Sequence, residues 1–237
     1  MLKKTIRFMS FALHRNHNSK VIYYHDVNRK YTDMGTEKEV ILKHIKLVRN
    51  WGYEIVDSIT SKQSQIMICF DDGWAGIYES KDIFIENQVF PTVFIAVDLI
   101  GKPGYLTVEQ IRELHSLGFH FEGHAWSHRD LTSFDDKGLE HEIIDSKEEL
   151  SQLLGYEIDS ICFPQGRFSN KVVACCQKAG YSRIYSSIAG SYYDMLEKKG
   201  IICRNLVQSV SDREFKYILF STSPVIVNRA IRIHYQK

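Results

Sequence analysis

Two adjacent carboxylates, Asp71 and Asp72, end an apolar run in SQIMICFDDGWAGIYES (64–80), and two histidines, His124 and His128, stand four apart in GHAWSH (123–128). Two imidazoles and one carboxylate that leave a position open for water form a recurrent catalytic zinc set. In a helical turn, a spacing of four would bring both imidazoles to one side. Each pattern alone also has a plainer reading. H-x-x-x-H occurs in polar surface segments, and DDG makes a turn in which Asp71 caps the next helix and Gly73 supplies a positive φ. The conjunction favours chemistry. One carboxylate can complete a metal site and the other can stay free as a base, while a dication relieves the repulsion between them. Two further polar clusters close apolar runs: CFPQGR (162–167) and YYHDV (23–27), the latter with His25 and Asp26.

These residues need elements that bring them to one place. Apolar runs at KVIYYHDV, YEIVDSI, QIMICF, PTVFIAV, FHFEGH, IDSICFP, YSRIYSS and GIICRNLV read as strands, most of them buried on both faces. Between them lie helical patterns. TEKEVILKHIKLVRNWG carries Val40, Ile41, Ile45 and Val48 near helical spacing, and GIYESKDIFIENQ fits one helix. Thr107 with Gln110 forms a capping box for VEQIRELHSLG, and Ser211 with Glu214 a second for REFKYILFS. A long amphipathic helix is expected over Phe134–Leu154, and Asn170 is expected to cap KVVACCQKAG. Alternating strands and helices favour a parallel sheet covered on both faces, here a distorted (β/α) barrel of about seven strands. An open doubly wound sheet is the alternative, but no G-x-G-x-x-G follows the first strand. In a barrel, residues after the strand ends share one rim, which is where the polar clusters fall.

Composition narrows the chemistry. The 237 residues carry 30 Lys and Arg against 29 Asp and Glu, so no overall field draws nucleic acid. Ten histidines are numerous enough to make metal or acid–base work worth weighing. The five cysteines are odd in number and include an adjacent pair, Cys175 and Cys176, and none forms C-x-x-C. They read as buried thiols in a reducing compartment rather than a disulfide framework. No apolar run is long enough to span a bilayer. The basic N-terminus MLKKTIRFMSFALHRNHNSK lacks a small-residue cleavage site, so a cytoplasmic location is expected, with at most weak membrane-surface contact through that segment. The chain reads as one domain over 1–237, with 1–19 loosely ordered and 222–237 a C-terminal extension.

Taken together, CFDDG (69–73), HAWSH (124–128) and ICFPQGR (161–167), in this order, resemble the motifs of the polysaccharide deacetylases, the NodB-homology or carbohydrate esterase family 4 group. The Y-H-x-V start within YYHDV is similar to that of bacterial members, and the resemblance runs from about Val21 to Phe220. It implies a NodB-like barrel and metal-dependent removal of an acetyl group from an N-acetylated sugar or glycan precursor, lipid-linked precursors included. By position, Asp72, His124 and His128 would hold the metal and Asp71 would be the general base. Zn²⁺ is the first expectation, with Co²⁺ and Ni²⁺ suited to the same donors. The turn Pro164–Gln165–Gly166 would supply an oxyanion donor, with the Gln165 N–H foremost.

The sequence also departs from that pattern. Cys162 stands where an arginine would orient the base, and Arg167 or Arg204 could take over. Gln165 replaces an aromatic residue. No clear fourth motif appears; SYYDMLEKKG (191–200) is the stretch in a comparable place. For the leaving-group acid the candidates are His25, by strand position, and His234, the late histidine. Trp74 and Trp126 flank the motifs and could stack on a sugar or pack at the barrel mouth. Glu122 could orient a ligand histidine. A deformylase or other C–N amide hydrolase on the same metal site is the second reading. An inactive glycan-binding or scaffolding barrel is the third.

Overall fold

Period-two alternation sorts the buried strand residues between two cores. The computed structural model describes residues 16–193, 200–208, 210–220 and 235–236. Eight strands make up the path of one curved nine-stranded sheet: β1 (Lys20–Tyr24), β2 (Gln65–Phe70), β3 (Thr92–Ile95), β4 (His120–Gly123), β5 (Ser160–Cys162), β6 (Arg183–Tyr185), β7 (Ile201–Ile202) and β8 (Arg204–Leu206). Their order is β7-β6-β5-β4-β3-β2-β1-β8, and each pairing along it is parallel.

The two ends of that order are joined by the chain itself. β7 and β8 are halves of one run that switches partners at Cys203, with Ser186 N donating to Ile202 O (2.9 Å) and Arg204 N to Ile188 O (3.0 Å). The sheet is therefore nearly closed into a barrel. GIICRNLV, expected as one strand, is two, which takes the count from about seven to eight.

Val21, Tyr23, Met67, Cys69, Phe94, Cys162 and Tyr185 belong to one buried cluster. The Phe94 and Tyr185 rings lie 5.3 Å apart, and the Tyr185 hydroxyl is 3.8 Å from Met67 sulfur. These side chains come from strands that are not neighbours, so the contacts cross the barrel interior. Residues of opposite parity, among them Ile22, Tyr24, Ile68, Phe70, Val93 and Phe121, pack in a second and larger cluster with the helices. Each such side chain contributes about 1.5–3 kcal/mol when fully buried.

The helix Lys38–Asn50 buries Ile41, His44, Ile45 and Val48. His44 takes the stripe position that Val40 was expected to fill, stacking on Phe215 (centroids 3.9 Å) and meeting the Tyr24 hydroxyl at 2.8 Å. Both expected capping boxes are present, at Thr107–Gln110 and Ser211–Glu214. Four expectations are corrected. The helix over 76–88 is two, Gly76–Glu79 and Lys81–Glu86, parted at Ser80. The long helix carries a π turn, His141–Asp145, between Asp136–Glu140 and Ser146–Leu154. Ser169, one residue before Asn170, caps Asn170–Lys178 by accepting from Val172 N (3.3 Å). Only Glu54–Ile55 of YEIVDSI pairs, alongside Gln65 and Ile66 and off the barrel path. No helix among the described residues is long and apolar enough to cross a membrane. Most of the N-terminal segment 1–19, most of the extension 222–237, and 194–199 within SYYDMLEKKG lie outside the described residues.

Candidate metal centre

Because the barrel strands are parallel, the residues following them gather at one end. There a cleft of about 490 Å³ is lined by Tyr23 from β1 and His25 just after it, Asp71 and Asp72 after β2, and His124 and His128 after β4. Phe163 and Gln165 line it after β5, Ser187 and Ala189 after β6, and Leu206 from β8, with Met34 at the side.

The ladder hydrogen bonds continue past the strand ends and fix the first polar residue of each loop. Asp71 N donates to Tyr24 O (3.0 Å) and His124 N to Ile95 O (2.8 Å). The chain then turns sharply. Asp72 (φ 73°), Ala125 (φ 63°), His128 (φ 60°) and Gln165 (φ 57°) all adopt the left-handed conformation, which side chains other than glycine rarely take. Such strain, repeated around one cleft, is typical of sites where side-chain aim matters more than backbone comfort.

Asp71 is buried, and Arg204 holds it through both oxygens: Nη1 donates to Oδ1 at 2.6 Å and Nη2 to Oδ2 at 2.7 Å. Burial alone would raise the Asp71 pKa; the guanidinium outweighs it and keeps the carboxyl below its ordinary value. Arg204 is itself fully buried, with its guanidinium carbon 4.2 Å from the Tyr23 ring centroid and 5.1 Å from that of Phe94. Its Nε donates to Ser186 O (3.2 Å), and Nη2 lies 2.6 Å from Cys162 Sγ. The small Cys162 side chain on β5 leaves space that the Arg204 guanidinium from β8 occupies. Burial pushes the Cys162 thiol well up, so it stays protonated beside the cation.

Asp72 faces the histidines. Its Oδ1 lies 3.3 Å from His124 Nε2 and 3.0 Å from His128 Nε2, yet no N–H is aligned on that oxygen. The other oxygen accepts from Trp74 Nε1 (3.1 Å). Burial would raise Asp72; the two imidazoles take it well below its ordinary value. For His128, burial acts downward, but the Asp72 carboxylate prevails and raises its pKa. His124 Nδ1 meets the Cys162 carbonyl at 2.7 Å. A carbonyl only accepts, so Nδ1 carries a hydrogen there and Nε2 is the ring nitrogen turned toward Asp72.

The donor set fits a divalent ion. One oxygen of Asp72 and one nitrogen each of His124 and His128 lie within 4.8 Å of one another. Ligand atoms of a tetrahedral zinc ion stand about 3.4 Å apart, which is close to the 3.0 and 3.3 Å separations here. A second grouping, Asp71, His124 and Cys162, fits poorly, because Arg204 already occupies both Asp71 oxygens.

The remaining candidates separate clearly. The two histidines lie in an irregular loop rather than a helical turn, and positive φ at Ala125 and His128 brings them together. Arg204, rather than Arg167, pairs with Asp71; Arg167 is half-exposed and donates to Asp130 (2.9 Å). His25 reaches the cleft, its Nδ1 2.6 Å from Gln208 Oε1. Neither tryptophan lines the cleft. Trp74 stacks on Tyr105 while bonding Asp72, and Trp126 leans on His141. Glu122 accepts from the backbone of Asp159 and Ser160, so the Cys162 carbonyl is what orients His124. Pro164, Gln165 and Gly166 form a short turn in which only Gln165 is exposed to the cleft. His234 lies outside the described residues. Gln208 and Glu142, which grips the loop between the histidines, carried no motif signal in the sequence.

Residues 58–184, more than half of the chain, match the polysaccharide deacetylase family. YxkH of Bacillus subtilis is 23% identical over 175 residues, covering 68% of this chain and 61% of that one. Peptidoglycan-N-acetylmuramic acid deacetylase PdaA of the same organism is 25% identical over 144 residues, covering 59% and 53%. The chain thus spans between half and two thirds of the length of these relatives. Streptococcus pyogenes deacetylase PplD, solved with acetate, superposes with a TM-score of 0.76 at 16% identity, over 87% of this chain and 100% of that one. By this match the chain belongs to the polysaccharide deacetylase family.

Proposed function

We propose that the chain is a metal-dependent hydrolase that removes the acetyl group from an N-acetylated sugar or glycan precursor. The observation that carries this reading is the convergence of Asp72, His124 and His128 beside an Asp71 held ready by Arg204. The family membership and the sugar amide named for PdaA support the substrate class.

Asp72, His124 and His128 would hold the ion, with zinc the first expectation and Co²⁺ or Ni²⁺ suited to the same donors. Such an ion supplies a Lewis acid that acidifies water and polarises an acyl carbonyl. Asp71, kept ionised by Arg204, takes the proton from the attacking water. Gln165 lines the cleft in a left-handed turn, and its N–H would donate to the oxygen that gains charge as the carbonyl carbon becomes tetrahedral. As the C–N bond breaks, the cationic His25 ring delivers its Nε2 proton to the departing nitrogen and regains one from solvent, while Asp71 gives the water proton back to solvent. Gln208 fixes the His25 ring for that task, because an amide oxygen accepts the Nδ1 hydrogen and leaves Nε2 for the substrate.

A substrate panel tests the reaction. N-acetylated hexosamine oligomers incubated with zinc-loaded protein are expected to release acetate with a matching free amine. Formate from N-formyl sugars with no acetate would point to a deformylase. No turnover on either, with sugar binding retained, would leave a binding barrel.

A further inference from the structure

The loop between the two histidines is gripped by a side chain from the π turn. Glu142 is buried, and its Oε2 accepts from Trp126 N (3.1 Å) and Ser127 N (2.9 Å), while Oε1 accepts from the Ser127 hydroxyl (2.5 Å). Its neighbour His141 packs its ring on Trp126 at 4.4 Å. Two consecutive residues of one turn therefore hold two consecutive residues of the loop.

The loop needs holding. Ala125 and His128, on either side of the gripped pair, both adopt left-handed φ, a conformation side chains leave when nothing enforces it. His124 is buried and tied to the Cys162 carbonyl, but the His128 side chain is 30% exposed. Its aim therefore depends on the backbone that carries it.

The π turn is built to last. A π turn spoils the regular helical carbonyl pairing, and π turns inside α-helices are frequent at functional sites. Here the Ser146 hydroxyl donates to Glu142 O (2.6 Å), and Ser146 and the Tyr181 hydroxyl both reach Ile143 O. The displaced backbone groups are thus satisfied, and the phase of the helix is shifted at the residue that reaches the loop.

We infer that Glu142 is a positioning residue for the metal centre: by clamping Trp126 and Ser127 it sets His128 Nε2 against Asp72 Oδ1, and the π turn serves to deliver it there. This rests on the reading of Asp72, His124 and His128 as metal ligands. The test is calorimetric zinc titration of metal-stripped wild type, Glu142→Ala, Glu142→Gln and Ser127→Ala, beside the melting temperature of each metal-free protein. Partners that orient metal ligands typically account for 10- to 100-fold in affinity. Glu142→Ala should weaken zinc binding by that factor, Glu142→Gln by less, and Ser127→Ala by a few-fold. A role in stability alone would lower the melting temperature and leave the zinc Kd of the folded variants within about twofold of wild type, which would overturn the inference. Should Glu142→Ala fail to fold, the other two variants carry the test. Absence of zinc binding by wild type would overturn the metal reading and this inference with it; unchanged affinity in the variants would overturn the inference alone.

Discussion

Arg204 and Asp71, 133 residues apart in sequence, meet through two parallel hydrogen bonds of 2.6 and 2.7 Å inside the barrel. One charge comes from the last barrel strand and the other follows the second, so the pair forms only when the sheet closes.

That pair predicts a large response to breaking one side. Arg204→Met leaves a buried carboxylate unpaired and should destabilise the fold by about 3–5 kcal/mol in urea unfolding. Asp71→Asn added to it should recover much of the loss, because no charge is then stranded. Asp71 is held below its ordinary value, so its stabilisation is present above the unfolded carboxylate pKa and is lost as pH falls through the folded one. The acid arm of the wild-type stability curve should therefore steepen below about pH 4, and in Arg204→Met that contribution should vanish.

His44 predicts a second pH effect, remote from the site. Burial lowers its pKa from 6.5 to about 4. Between those values the unfolded chain binds a proton that the folded one refuses, so stability falls as pH drops through that window, by about 3 kcal/mol in full. His44→Gln keeps a partner for the Tyr24 hydroxyl and should flatten the curve there. The difference between the two proteins isolates His44 from Asp26 and Glu122, which burial pushes up to about 7 and which act in the opposite sense.

For His25, the expected outcomes are kinetic. His25→Ala should lower kcat by about 10²- to 10⁴-fold, the usual worth of a positioned acid. Gln208→Leu removes the acceptor on Nδ1–H and should lower kcat with KM little changed. An unchanged kcat would remove the His25–Gln208 pair from the proton path.

Much of this was legible in the sequence, because motif residues sit directly after strands and parallel strands put their ends together. Asp71, Asp72, His124, His128 and His25 needed only that rule to be brought into one cleft. Arg204 was harder to place, because CRNL reads as a strand with a charge in it. Its target depends on β8 pairing with β1 and on Cys162 leaving room. A spacing of four would bring the two histidines together in a helical turn; here two left-handed residues, Ala125 and His128, achieve the same approach in a loop. The π turn left no trace in an apolar pattern that reads as one continuous helix. Nothing in the sequence pattern marks Glu142 or Gln208 as reaching the site.

The most direct test of the account is zinc titration of the metal-stripped protein beside His128→Ala and Asp71→Asn. The account predicts one tight site in wild type, lost in His128→Ala and retained in Asp71→Asn, with acetate release abolished in both variants. Absence of a zinc site in wild type, or its survival in His128→Ala, would contradict it.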